Sequence, residues 1–63
     1  MVEKIMAEKR AKLDFTQEEV AKDANITRAY YSLIESGAKR PSPDVAQKIA
    51  KKLGFDWTLF FTI

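Results

Sequence analysis

Phe15-Thr16-Gln17-Glu18-Glu19-Val20-Ala21-Lys22-Asp23-Ala24-Asn25-Ile26-Thr27-Arg28 is the stretch on which the reading of this chain turns. It holds two helix starts with very little between them. Thr16-Gln17-Glu18-Glu19 spells a capping box, in which the Thr16 hydroxyl accepts from an early backbone N–H and the Glu19 carboxylate reaches back to the Thr16 N–H. Val20, Ala21 and Ala24 then form the inner face of a short helix that should end near Asp23 or Ala24. Thr27 caps a second helix, running from Arg28 to about Ser36, and Gly37 stands where a helix end favours glycine. Ile26, Tyr31 and Ile34 point one way, and Arg28, Ala29, Ser32 and Leu33 point the other. Two short helices joined by Asp23-Ala24-Asn25-Ile26 form a helix-turn-helix pattern.

Outward from this centre the signals remain helical. Toward the C-terminus, Ser42 caps a helix with Pro43 at its first position, where the missing N–H costs nothing. Val45, Ile49, Ala50 and Leu53 recur at helical spacing, Lys51 and Lys52 suit the C-terminal end of the dipole, and Gly54 ends the run. Asp56 can cap a short aromatic segment, Trp57-Thr58-Leu59-Phe60-Phe61. Toward the N-terminus, Val2, Ile5, Met6 and Leu13 fit one helical face until Asp14 interrupts. The expected elements are therefore helices over about 2–13, 16–23, 27–36, 43–53 and 56–61. Together they form one all-α domain spanning 1–63, with no strand-like alternation and no repeat.

Length and composition narrow the function. At 63 residues the chain allows one small domain, whose core is thin because short chains bury a smaller share of their surface. With no cysteine and no histidine, a Cys/His zinc site, a thiol nucleophile, an imidazole base and a Ser-His-Asp triad all drop out. The acidic residues read as solubilising charge on helix surfaces, so no enzymatic activity, cofactor or metal is expected. No run approaches the ~20 apolar residues of a membrane span, and the N-terminus lacks a signal-peptide core. A cytoplasmic protein is expected. The net charge of +2 says little by itself. Its distribution says more: an acidic stretch over 13–23 separates a basic start from the segment 24–42, where Arg28, Lys39 and Arg40 face Glu35 alone.

Phe15-Thr16-Gln17-Glu18-Glu19-Val20-Ala21, then Ile26-Thr27-Arg28, Tyr31-Ser32, Ile34-Glu35, Gly37 and Lys39-Arg40-Pro41-Ser42, follow one familiar order. In that order and spacing the chain resembles the XRE/Cro/CI group of lambda repressor-like helix-turn-helix domains, over roughly Met6 to Phe61. The resemblance implies a compact four- to five-helix domain, with the second helix braced on the DNA backbone and the third in the major groove. It also implies that Ala21 is the small residue letting those two helices approach. Three positions depart from the family pattern: Asn25 stands where glycine is usual, Tyr31 where a β-branched aliphatic is usual, and Lys9 where leucine is frequent.

On this resemblance the site residues divide by role. Gln17, at the first turn of the second helix, matches a glutamine that contacts a phosphate. Lys39 and Arg40 match basic positions near the backbone. Thr27 either caps only or also reaches a phosphate, and Tyr30 either donates its hydroxyl to a phosphate or packs. Base reading falls to Arg28, Ala29, Ser32 and Leu33. A guanidinium can bond guanine O6 and N7 bidentately, and Ala29 and Leu33 suit thymine methyl groups. Leu33 has an alternative as a peripheral packing residue. Arg10 and Glu35 match a structural ion pair between the first and third helices.

The aromatic tail either covers the core or forms a dimer surface, and Trp57, Leu59, Phe60, Phe61 and Ile63 are the interface candidates. The expected function is sequence-specific recognition of double-stranded DNA by a homodimer on an inverted repeat, repressing transcription by occupying a promoter. No membrane partner and no small-molecule ligand are expected. The rival readings are an antitoxin or a restriction–modification controller using the same fold, and a protein-interaction module that no longer reads DNA.

Overall fold

Hydroxyl and carboxylate caps set where four of the five elements begin. The computed structural model describes residues 2–61. Among them run α1 (Val2–Lys12), α2 (Gln17–Asp23), α3 (Arg28–Ser36), α4 (Pro43–Leu53) and a final 3-10 helix, Trp57–Phe61. The capping box of α2 is complete: Thr16 Oγ1 accepts from Glu19 N at 3.1 Å, and Glu19 Oε1 accepts from Thr16 N at 2.8 Å. Thr27 Oγ1 accepts from Tyr30 N at 3.0 Å, Ser42 Oγ from Val45 N at 3.4 Å, and Asp56 Oδ1 from Thr58 N at 3.0 Å.

The helix ends share one device. Asp14, Asn25, Gly37 and Gly54 all take positive φ, at 62°, 61°, 86° and 80°. In the first three the chain closes as a Schellman turn, which satisfies carbonyls the helix leaves free. Phe15 N donates to Arg10 O, Ile26 N to Ala21 O and Ala38 N to Leu33 O, each near 3 Å. Asp and Asn tolerate this region better than other side chains, at some energetic cost relative to glycine. The left-handed turn at Asn25 is what aims α3 away from α2.

The turn at Asp14 corrects one expectation. The first helix ends at Lys12 instead of Leu13, and Leu13 is 46% exposed instead of lying on the inner face. The reversal at Asp14 carries the chain past the core at Leu13 and returns it at Phe15, which packs against the buried cluster. Phe15, and not Leu13, is the apolar residue of this turn that packs on the core.

α2 packs against α3 and α4, α1 packs against α3 and α4, and the 3-10 helix lies on α4. Their shared core contains Met6, Val20, Ala21, Ala24, Tyr31, Ile34, Ala46, Ile49, Leu53 and Phe60. Tyr31 is the largest of the fully buried side chains, so the bulkier residue at that position fills the centre of the domain. Ala21 is 1% exposed. A larger side chain there would have to displace its packed neighbours, typically costing about 1–3 kcal/mol.

Candidate nucleic-acid interface

α3 presents two opposite faces, and the candidate interface is built on the outer one. Tyr31 and Ile34 are buried. Arg28, Ala29 and Leu33 are exposed, with Leu33 at 41%, and Ser32 is half-buried. Positions 28 and 32, and 29 and 33, sit one turn apart and share this face. The result is one guanidinium, one hydroxyl and a small aliphatic stripe directed into solvent from a helix whose other side is fixed in the core.

The rotation of α3 is further fixed by Glu35. Arg10 Nε donates to Glu35 Oε1 at 2.9 Å and its NH2 group donates to Glu35 Oε2 at 3.1 Å, a two-pronged pair between α1 and α3. The same arginine donates from NH1 to the Phe15 carbonyl at 3.1 Å, tying down the loop that leads into α2. The side chains are 23% and 11% exposed, so water screens the pair only partly. Burial works against the Glu35 charge. The hydrogen bonds from Arg10 and Gln17, with the nearby Tyr31 hydroxyl, outweigh it and hold the carboxyl below its ordinary value. Glu35 in turn raises the Arg10 pKa.

Gln17, the first residue of α2, joins this network by donating from Nε2 to Glu35 Oε2 at 3.2 Å. The spacing along the chain gave no sign of this contact. An amide NH2 carries two hydrogens, and this bond uses one. The other is left for an outside acceptor. Tyr31 also meets the network from below. Its hydroxyl is buried and makes no hydrogen bond of good geometry, while Arg10 and Gln17 already engage both Glu35 oxygens. Burial, and then the nearby Glu35 carboxylate, push the Tyr31 phenol well above its ordinary value.

Gln17 and Arg28 line the same open groove, of about 470 Å³, with Thr16, Glu18 and Phe15 among its walls. The start of α2 and the start of α3 thus open onto one surface. Thr27 is exposed and caps α3 with an oxygen lone pair, which leaves its O–H proton free to donate. Tyr30 is half-buried, with its ring against the core. Lys39 and Arg40 are exposed in the loop after α3. Arg40 is not isolated: its guanidinium carbon lies 5.9 Å from the centroid of the Phe61 ring.

The aromatic tail divides by residue. Phe60 is 5% exposed and stacks obliquely with Phe55 at 5.6 Å. It belongs to the core of its own domain, where the 3-10 turn directs it onto α4. Trp57 and Leu59 are half-buried, and Phe61 is 36% exposed. Ile63 lies outside the described residues. A second cation–ring contact was also not legible in the sequence: Lys52 Nζ sits 4.5 Å from the Phe15 ring, clasping α4 to the loop before α2.

A family model described as helix-turn-helix matches residues 6–60. A protein from Bacillus subtilis (strain 168), described as the uncharacterized HTH-type transcriptional regulator YqaF, is 56% identical over 61 residues. The match covers 97% of this chain and 80% of that protein. No solved structure matches the chain.

Proposed function

This chain belongs to the XRE-type helix-turn-helix family of DNA-binding transcription regulators, and we propose that it acts as a repressor. In this reading it binds an inverted-repeat operator as a homodimer, with α3 of each copy in the major groove. The observation that carries it is the outer face of α3. Arg28, Ala29, Ser32 and Leu33 point outward there, while Tyr31, Ile34 and the Arg10–Glu35 pair hold the helix from behind. Arg28 is the guanine contact, and Ala29 and Leu33 meet thymine methyl groups beside it. Ser32 adds a weakly discriminating hydrogen bond.

Around this reading face, Gln17, Thr27, Lys39 and Arg40 contact phosphates and set the register, with Tyr30 at the edge of the same surface. Gln17 is well suited because Glu35 fixes its amide while leaving one N–H to donate. Trp57 and Leu59, both half-buried, supply the apolar surface on which a second copy packs. Repression follows from occupancy: a domain on a promoter excludes polymerase without a further activity. Such a protein works in the cytoplasm, and no helix among the described residues is long and apolar enough to cross a membrane.

The test is selection from random duplex DNA at about physiological salt, followed by binding of the enriched sequence to the parent protein. An inverted repeat with half-sites about one helical turn apart is the expected result. A single enriched half-site would remove the dimer from the reading. Failure to bind any duplex would remove DNA recognition itself.

A further inference from the structure

Arg40 lies in the loop after α3 with its side chain exposed. Among the described residues no hydrogen bond or ion pair holds its guanidinium. What it meets is the face of Phe61, at 5.9 Å from the ring centroid. Phe61 is itself steadied from the side by Trp57, in an edge-on contact with centroids 5.9 Å apart and rings at 77°. The neighbouring Lys39 has no ring against it among the described residues.

A ring holds an arginine differently from a carboxylate. A carboxylate uses the N–H groups it binds. A ring attracts the guanidinium through its electron-rich face and does not take up its N–H groups in pairs, so the fork stays available. An arginine placed this way is restrained yet keeps its full fork for a planar or tetrahedral anion. A flexible arginine must give up its rotamer freedom when it meets the same anion, and that loss weakens the contact.

We propose that Phe61 is a positioning residue for DNA binding, its ring holding the Arg40 guanidinium so that the fork is already set for a backbone phosphate. The inference rests on the reading of Arg40 as a phosphate contact and adds the tail residue that prepares it. The basic loop and the aromatic tail then act as one unit, although Phe61 touches no DNA.

A double-mutant cycle tests this on a mixed-sequence DNA duplex, because a phosphate contact does not depend on sequence. The proteins are the parent, Phe61→Leu, Arg40→Ala and the double variant, with Phe61→Tyr as the conservative control. Phe61→Leu should weaken binding about two- to fivefold, and Phe61→Tyr should restore it. Arg40→Ala should weaken binding and lower the salt slope by about one. The double variant should bind no worse than Arg40→Ala alone. A purely structural or dimer-forming role for Phe61 would instead cost the same factor in the Arg40→Ala background, and that additivity would overturn the proposal. Parent-like binding by Phe61→Leu would overturn it as well. Parent-like binding and salt slope for Arg40→Ala would remove the phosphate contact itself, and the inference with it.

Discussion

Gln17 at the start of α2 is bonded to Glu35 near the end of α3, Nε2 to Oε2 at 3.2 Å. Because Glu35 also carries both prongs of Arg10, three helices meet at one carboxylate. The same group that fixes the core-facing side of α3 fixes the amide beside the groove shared with Arg28.

Removing one member of this network should therefore be costly. Arg10→Ala or Glu35→Ala leaves an unpaired, mostly buried charge. With part of the pair exposed, the expected loss is on the order of 2–3 kcal/mol in unfolding free energy. A paired replacement, Arg10→Met with Glu35→Leu, should lose less than either single change, since no charge is left stranded. Urea unfolding of the four proteins checks this. A double variant as unstable as the sum of two singles would contradict it.

The network also sets an acid limit. Glu35 is held below its ordinary value of 4.5, so the folded state favours the carboxylate. That stability is fully present above the unfolded-state value and is lost as pH falls from about there through the lower folded value. Arg10 stays charged throughout and becomes unpaired as Glu35 protonates. Melting temperature should therefore drop below about pH 4.5, and Glu35→Gln should have a flatter acid limb from a lower plateau. Equal acid slopes in the two proteins would separate Glu35 from the effect.

At the alkaline end the same reasoning applies to Tyr31 with opposite sign. The phenol is raised above its ordinary value of 10.0, so its contribution is present below that pH and is lost as pH rises past it. Its hydroxyl lacks a well-formed hydrogen bond. Tyr31→Phe should therefore keep stability near neutral pH within about 1 kcal/mol and resist alkaline unfolding better than the parent. A large loss at neutral pH would mean that the hydroxyl is needed to support Glu35.

Asn25 offers a stabilising change. It holds φ at 61° in the turn between α2 and α3, where glycine has no side-chain penalty. Asn25→Gly should raise stability by up to about 1 kcal/mol, and Asn25→Val should lower it by more than that. Thermal melts decide between these. The fold should be unchanged in Asn25→Gly, seen as an unaltered helical circular dichroism spectrum.

The two kinds of DNA contact should separate in binding experiments on a selected operator. Arg28→Ala should lose about 1–3 kcal/mol of specific binding and relax preference at one base position. Lys39→Ala should weaken all duplexes alike and reduce the salt slope by about one. Arg28→Ala binding every duplex as the parent does would place the reading face elsewhere.

Local chemistry accounts for what could be read in advance. The capping box at Thr16, the caps at Thr27 and Ser42, Pro43 and the two glycines each act within a few residues of chain. They fix element boundaries without knowledge of the fold, and the apolar spacing of Tyr31 and Ile34 named the inner face of α3. Leu13 was misplaced because helical spacing cannot register the left-handed turn at Asp14 that ends the helix and brings Phe15 inward.

The sequence by itself determined the helices, their order and the outward set Arg28, Ala29, Ser32 and Leu33. Only the tertiary structure decided what these helices do to one another. The residues that meet at Glu35 lie 18 and 25 positions away along the chain, and their contact depends on how α1, α2 and α3 cross. The same holds for Lys52 on Phe15 and Arg40 on Phe61, and for the adjacent Phe60 and Phe61, of which one is buried and the other exposed. Caps and periodicity act over three or four residues. Pairing between distant side chains waits on packing, which sets the distances at which charge, ring and amide can meet.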